Sequence, residues 1–179
     1  MNTQRRRVAD AGTAWVGEVE PLADACRRGR HWLATAESCT GGLVAAACTS
    51  VAGSSEWYER GFVTYSNASK VELLDVDAAL LEAHGAVSEA VALAMAQGAL
   101  AHSRATLAVA TTGIAGPGGG VPGKPVGTVW LAWAVRGGEC GAQRLCLPGD
   151  RAAVREATVR AALAQAQRLA EAARPSTTA

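Results

Sequence analysis

Short apolar runs alternate along the chain with longer segments in which apolar residues recur at helical spacing. Apolar runs between polar or glycine-rich segments predict strands, and apolar residues three or four positions apart predict helices. The predicted strands are residues 31–36, 61–66, 106–111, 126–136 and 139–147. The predicted helices are residues 14–29, broken or begun near Pro21, and residues 41–51, 77–84, 88–102 and 150–174.

The order of these elements predicts the fold class. Strands that alternate with helices favour a parallel sheet covered on both faces, and Gly137-Gly138 between the last two strands predicts a two-residue hairpin. We therefore expect an α/β protein: a single-domain three-layer α/β/α sandwich whose mostly parallel mixed sheet contains one antiparallel strand. The predicted domain spans residues 13–174, between an N-terminal tail over residues 1–12, predicted to be disordered, and a C-terminal tail over residues 175–179.

Composition and charge argue against several classes of protein. The chain has 179 residues, of which 49% are hydrophobic and 18% charged, which is enough for one domain with its own core. Its formal net charge of +1 gives no support for a nucleic-acid or membrane-surface role. No apolar run reaches the roughly 18 residues of a membrane span, and no signal-peptide stretch follows Arg5-Arg6-Arg7. We expect a cytoplasmic protein.

Cysteines and histidines do not predict a metal site or a disulfide framework. The five cysteines include no C-x-x-C pair, and the three histidines include no H-x-H or H-x-x-x-H pair. We therefore expect neither a metal nor disulfide bonds, and most of the cysteines to be small buried side chains.

The stretch TAESCTGG, residues 35–42, places polar side chains at the end of the first predicted strand. Ser38 lies just before the glycines that open the next helix, and Thr40 is predicted to cap that helix. The carboxyl ends of parallel strands and the free N–H groups of a helix start favour a ligand with negative charge, such as a phosphate, a carboxylate or the oxyanion of acyl transfer. A polar helix cap without further function remains the alternative.

Other motif matches fail on their context. Residues 118–124 match the glycine spacing of a phosphate loop, but Pro125 and a predicted strand follow where a helix would be needed. No G-x-S-x-G elbow surrounds Ser38, and Gly41 stands where an S-x-x-K motif would have lysine. These observations disfavour nucleotide-binding loops, classical serine hydrolases and penicillin-recognising enzymes.

The stretch YSNASK, residues 65–70, follows the second predicted strand and offers Tyr65, Asn67 and Lys70 at the same edge. A lysine that is stripped of solvent loses its proton more readily and can then accept one from a serine hydroxyl. The ordinary lysine pKa is about 10.4, so such a role requires apolar or cationic surroundings. The alternative is a solvated lysine at the start of a helix.

The chain resembles the CinA C-terminal-domain family, whose characterised members are nicotinamide-nucleotide amidases. The resemblance rests on AESCTGG, GSS, YSNASK, GAVSE, TGIAGPGGG, KPVGTV and GDRAAVR, which occur in the family's order between Leu33 and Ala164. Ala52 departs from the family's usual proline. The N-terminal domain of full-length CinA proteins has no counterpart, so we expect the stand-alone amidase form.

The resemblance implies hydrolysis of nicotinamide mononucleotide to nicotinate mononucleotide and ammonia in pyridine-nucleotide salvage, without metal or cofactor, by subunits that associate as a dimer or larger homo-oligomer. It implies that Ser38 is the nucleophile, Lys70 the base and Tyr65 a proton relay or positioning hydroxyl. Lys124 is the rival base. A non-catalytic nucleotide-binding or regulatory subunit, or an amidase for another small carboxamide, remains an alternative function.

A second set of residues is expected to contact the substrate. Arg151, in the first turn of the last helix, is the candidate for the ribose phosphate, because a guanidinium and helix-start N–H groups both favour a dianion. The N–H groups that follow Ser38 are the candidates for an oxyanion site. The other candidate substrate-binding residues are Thr40, Gly41, Gly42, Asn67, Thr112 and Gly113. Either Glu37 or Thr40 orients the nucleophile, binds the ribose or caps the turn, and Cys39 is expected to face the core.

Overall fold

A five-stranded sheet forms the centre of the computed structural model, which describes residues 15–173. The strands are β1 (Leu33–Glu37), β2 (Tyr58–Val63), β3 (Leu107–Gly113), β4 (Thr128–Val135) and β5 (Cys140–Cys146), in the spatial order β2-β1-β3-β4-β5. β1 pairs in parallel with β2 and β3, whereas β4 runs antiparallel to both of its neighbours. The predicted mixed sheet with one antiparallel strand is thereby confirmed. The predicted tails lie outside the described residues.

Within the described residues, six α-helices cover the two faces of this sheet. They are α1 (Val16–Gly29), α2 (Leu43–Cys48), α3 (Asn67–Leu74), α4 (Ala78–His84), α5 (Glu89–Ala101) and α6 (Arg151–Ala172). Apolar residues of α1, α2 and α6 form one core with Leu107 and Val109 of β3, and those of α3, α4 and α5 form a second core with Ala108 and Ala110. Successive side chains of a strand point to opposite faces of the sheet, so the two cores lie on opposite faces. The predicted three-layer arrangement of helices, sheet and helices is therefore also confirmed. No helix among the described residues is long and apolar enough to cross a membrane.

Several predicted boundaries differ from the observed ones. β2 begins at Tyr58, three residues before the predicted start, because an edge strand tolerates polar residues such as Glu59 and Arg60. α3 was predicted only as a helix start at about Lys70, in the alternative interpretation of that lysine, whereas it begins at Asn67 with the polar run NAS. Its start is set by the Ser66 hydroxyl, which accepts a hydrogen bond from Ser69 N–H at 3.1 Å.

The structure corrects two further predictions, one about α1 and one about the hairpin between β4 and β5. α1 is continuous through Pro21 and ends at Gly29. The N–H of Val135 donates to the carbonyl oxygen of Glu139 at 2.8 Å, which leaves three residues at the hairpin tip instead of the predicted two.

Gly98 sets the distance between α5 and α3, and α3 is the helix that carries Lys70. A Cβ at Gly98 would clash with the main-chain carbonyl of Leu74, whereas a Cβ at Gly17 in α1 would meet nothing within 4 Å. We expect Gly98→Ala to lower the free energy of unfolding by about 1–3 kcal/mol, measured by urea denaturation. Gly17→Ala is the matched control and should be neutral or slightly stabilising. Equal stability of the two variants would contradict this account of the α3–α5 contact.

Candidate active site

The candidate site lies at the edge of the sheet where β1, β2 and β3 end. The sheet pairing continues for one residue beyond β1, since Ser38 N–H donates to the Thr111 carbonyl at 2.9 Å. On the other side of β1, Thr64 N–H donates to the Glu37 carbonyl at 2.8 Å. Ser38 is therefore held by the sheet itself, next to the segment that connects β2 to α3.

Ser38 and Lys70 are brought together at this edge. The Lys70 Nζ lies 3.2 Å from Ser38 Oγ, and the Lys70 side chain is fully buried. The same Nζ donates to the Thr64 carbonyl at 2.8 Å and lies 3.4 Å from the Tyr65 carbonyl. The alternative of a solvated Lys70 is wrong, because α3 turns this side chain toward the sheet.

Burial lowers the pKa of the Lys70 amine from its ordinary value, since the charged form loses its solvation. A neutral amine has two N–H donors and one lone pair. Three carbonyls surround the amine, those of Thr64, Tyr65 and, at 3.5 Å, Ser66. Two of them can take the two donors, which leaves the lone pair for the Ser38 hydroxyl. The pair can thus act as a hydroxyl nucleophile with an amine base.

The turn that follows Ser38 depends on two glycines. Gly41 and Gly42 have φ values of 60° and 92°, in the left-handed region that favours glycine. Gly41 N–H donates back to the Ser38 carbonyl at 3.1 Å. The chain reverses within four residues and enters α2.

The sequence predicted Thr40 as the cap of α2, but the structure shows that Glu37 caps this helix. The Glu37 carboxylate accepts hydrogen bonds from the N–H groups of Gly42, Val44 and Ala45 at 2.9, 3.0 and 2.8 Å. Thr40 is fully buried, and its hydroxyl pairs with the Thr111 hydroxyl at 2.7 Å. Thr40 is therefore an internal support of the turn, which argues against its predicted contact with substrate.

These hydrogen bonds also decide which N–H groups are open to a ligand. The N–H groups of Gly41 and Gly42 are hydrogen-bonded within the chain, which argues against their use as donors to the substrate. Within residues 15–173, the N–H groups of Cys39 and Thr40 donate to no backbone carbonyl, and both lie near the Cys39 thiol. They are the remaining candidates for an oxyanion site beside Ser38.

Tyr65 and Arg151 contact each other across the mouth of the site. Arg151 Nη2 donates to the Tyr65 hydroxyl at 3.1 Å, and Nη1 donates to the Gly116 carbonyl at 3.1 Å. Tyr65 is 60% exposed, and within the described part of the chain its hydroxyl has no hydrogen bond to Ser38 or Lys70. This geometry favours a positioning role for Tyr65 over the predicted proton relay.

The other predicted site residues are placed differently. Thr112 is buried and donates its hydroxyl hydrogen bond to the Ala86 carbonyl at 2.8 Å, which argues against a contact with substrate through that hydroxyl. Gly113 pairs with Val129 in the sheet, and Asn67 is exposed at the first position of α3. Lys124 donates to the His84 carbonyl at 3.2 Å, so the rival base contacts neither Ser38 nor Lys70 among the described residues.

Arg155 belongs to the site but was missed in the sequence. Its Nη2 donates to the Thr40 carbonyl at 2.8 Å and would lie 3.6 Å from a Cβ on Gly41. The sequence could have indicated it, because Arg155 ends the stretch GDRAAVR and lies one helical turn after Arg151, on the same face of the helix. Arg155 joins α6 to the turn that carries the nucleophile candidate.

Cys39 faces the core, as predicted. It is 6% exposed and packs with Val129 and Val154, and burial raises the pKa of its thiol to about 11. It is therefore protonated near neutral pH and a poor nucleophile. Among residues 15–173, no three His, Cys, Asp or Glu side chains come together in a way that could hold a metal ion.

Comparisons with known proteins find relatives that match most of this chain. The family model of the CinA C-terminal domain matches residues 18–170. The nicotinamide-nucleotide amidohydrolase PncC of Escherichia coli K12 is 53% identical over 136 residues, which are 76% of this chain and 82% of that protein. A CinA-like protein of Akkermansia muciniphila is 56% identical over 131 residues, which are 73% of this chain but only 32% of that protein, so the chain spans about a third of its length.

A solved structure shows the same fold. The crystal structure of a competence-damaged protein (CinA) superfamily protein from Klebsiella pneumoniae aligns with a TM-score of 0.82 at 41% identity. The alignment covers 86% of this chain and 96% of that one. At this identity and coverage the likeness extends to nearly the whole sandwich.

Proposed function

Because the chain belongs to the CinA C-terminal domain family, we propose that it is an amidohydrolase that converts nicotinamide mononucleotide to nicotinate mononucleotide and ammonia in pyridine-nucleotide salvage. The observation that carries the proposal is the 3.2 Å contact between Ser38 Oγ and the buried Lys70 Nζ. The name of the E. coli relative supports the choice of substrate. Cytoplasmic location and self-association stay predictions.

In the first half-reaction, Ser38 Oγ attacks the carboxamide carbon while neutral Lys70 accepts the hydroxyl proton. The carbonyl oxygen becomes an oxyanion, for which the N–H groups of Cys39 and Thr40 are the candidate donors. Collapse of this intermediate breaks the carbon–nitrogen bond. The departing nitrogen takes the proton from Lys70 and leaves as ammonia, and the nicotinate portion remains esterified to Ser38.

In the second half-reaction, water attacks the ester carbonyl and gives its proton to Lys70. Lys70 then returns the proton to Ser38 Oγ as the ester bond breaks, and nicotinate mononucleotide is released. Lys70 thus serves twice as base and twice as acid, as microscopic reversibility requires for a single amine. Its burial supports this role, because a lowered pKa leaves more of the amine neutral near physiological pH.

The anionic end of the substrate is assigned to Arg151. The Asp150 carboxylate caps α6 by accepting from Ala153 N–H at 2.9 Å, and within residues 15–173 the N–H groups of Arg151 and Ala152 donate to no backbone carbonyl. A phosphate at this point would receive charge-assisted hydrogen bonds and the favourable end of the helix dipole. It would replace the contact that the Arg151 guanidinium makes with Tyr65.

Replacement of Arg151 by alanine tests this assignment. The lost charge-assisted contact corresponds to about 1.5–3 kcal/mol, so the apparent affinity for nicotinamide mononucleotide should fall about tenfold or more. Activity on the phosphate-free riboside should barely change, and both are measured as ammonia release against substrate concentration. Arg168→Ala, near the far end of α6 and over the Trp133 ring, is the control and should leave both substrates unaffected. Equal losses on both substrates would assign Arg151 to the chemistry or to the fold.

One panel of three substrates distinguishes the proposed function from the alternative functions that the sequence left open. Nicotinamide, its riboside and its mononucleotide are each incubated with the protein, and ammonia is measured. The proposal expects the mononucleotide to be hydrolysed fastest. Ammonia from none of them would favour a non-catalytic or regulatory role, and a clear preference for another carboxamide would change the substrate while keeping the amidase chemistry.

A further inference from the structure

The Glu37 carboxylate lies directly behind the turn that carries Ser38. Glu37 is 1% exposed, and as consecutive residues of an extended chain Glu37 and Ser38 point to opposite faces of the sheet. Within residues 15–173, its carboxylate is hydrogen-bonded to the N–H groups of Gly42, Val44 and Ala45 and to the Thr35 hydroxyl at 3.4 Å. One buried side chain thus spans the whole turn from the end of β1 to the first turn of α2.

Thr111 and Arg155 hold the middle of the turn at Thr40, but their contacts do not reach α2. α2 has only six residues, which is too short for a helix to hold its position by its own hydrogen bonds. Gly41 and Gly42 join it to Ser38, and glycine allows a wide range of backbone angles. The sheet holds Ser38 through its N–H, and the contacts that fix the start of α2 hold the chain on the other side of this residue.

We propose that Glu37 is a positioning residue, whose buried carboxylate closes the turn 38–42 and holds Ser38 Oγ against Lys70 Nζ. The proposal rests on the proposed serine chemistry of this site. It assigns to Glu37 no contact with substrate, because the carboxylate is enclosed and hydrogen-bonded to the chain's own N–H groups. Because the carboxylate occupies N–H groups at the start of α2, those groups are not open to the phosphate of the substrate.

Three variants test the role of this carboxylate. Glu37→Gln keeps the size of the side chain but sets an NH2 group against N–H donors. Glu37→Asp keeps the charge but is one methylene too short to reach all three N–H groups. Asp77→Ala is the matched control, because Asp77 also caps a helix, through Ala79 N–H at 2.8 Å, but in α4.

Three measurements are made on each variant. They are kcat for ammonia release, the equilibrium Kd for nicotinamide mononucleotide in a Ser38→Ala background, and the rate at which a fluorophosphonate probe labels Ser38. A displacement of the nucleophile by about 1 Å costs about 10²-fold in rate. We expect Glu37→Gln to lower kcat and the labelling rate about 10²-fold, Glu37→Asp to lower them less, and Kd to change less than about threefold. Asp77→Ala should lower only Tm.

Each other outcome would overturn the proposal. Unchanged kcat and labelling in Glu37→Gln, with a lower Tm, would make the carboxylate a helix cap alone. A Kd raised more than about tenfold would place Glu37 in the substrate site. Failure of both Glu37 variants to fold would show that the carboxylate supports the whole domain and not the turn.

The proposed function can fail separately from this inference. A wild-type protein that releases no ammonia from the mononucleotide would overturn the assigned substrate. The ratio of the labelling rates compares Ser38 in two variants whatever the natural substrate is, so it still decides the role of Glu37.

Discussion

We expect Ser38→Ala to lower kcat by about 10³-fold or more while leaving Tm nearly unchanged. The reason is that the variant keeps the turn, Lys70 and the candidate N–H donors but has no atom that can form the acyl intermediate. Ser38 is only partly buried, so removal of its hydroxyl creates no sizeable cavity. The measurement is ammonia release from nicotinamide mononucleotide at saturating substrate, with thermal unfolding monitored in parallel.

Cys39→Ala is the matched control, since Cys39 is the next residue and carries the other nucleophilic atom of the turn. Its buried thiol has a pKa raised to about 11, so a small loss in stability and nearly normal turnover are expected. Comparable losses of turnover from both substitutions would mean that the reactive side chain has been misplaced.

The second large effect is expected at Lys70. The protonated amine cannot accept the Ser38 proton, and burial lowers the Lys70 pKa below its ordinary value. Activity should therefore be present above this lowered pKa and lost as the pH falls through it, so that kcat/KM rises with pH through one ionisation below the ordinary lysine range. The measurement is the pH dependence of kcat/KM for the wild-type protein.

Substitution separates the base from a fixed charge. Lys70→Arg keeps a positive charge but does not deprotonate in any useful range, so it should be nearly as inactive as Lys70→Ala, with about a 10²–10⁴-fold loss. The same two changes at Lys124 should be graded and mild, because Lys124 contacts the His84 carbonyl. Near-normal turnover of Lys70→Arg would show that Lys70 acts as a charge, and the base would then be Tyr65 or a bound water.

Much of the fold could be predicted because its signals are local. The buried run of β3 and the helix starts at residues 77, 88 and 150 depend on residues within one turn or one strand, and each appears in the structure close to where the pattern placed it. The extent of α3 escaped prediction because its eight residues begin with polar side chains and show no clear apolar period. An apolar pattern identifies an element only when the element is long enough to repeat it.

The site shows the same limit in the residues around Lys70. Tyr65 and Lys70 belong to one short stretch, and the sequence alone suggested a shared role. In the structure α3 begins between them, which leaves Tyr65 60% exposed and Lys70 fully buried. The start of α3 thus separates the exposed Tyr65 hydroxyl from the buried Lys70 amine.

By itself, the sequence determined the types of residue that end the strands, including a serine before two glycines and a lysine after the second strand. Only the tertiary structure decided that Ser38 and Lys70 lie 3.2 Å apart and that Glu37, not Thr40, caps α2. Backbone preferences and caps act over a few residues, so they can be read from neighbours in the chain. Burial, a shifted pKa and a contact between residues 32 positions apart arise from strand order and helix packing, which depend on the whole chain.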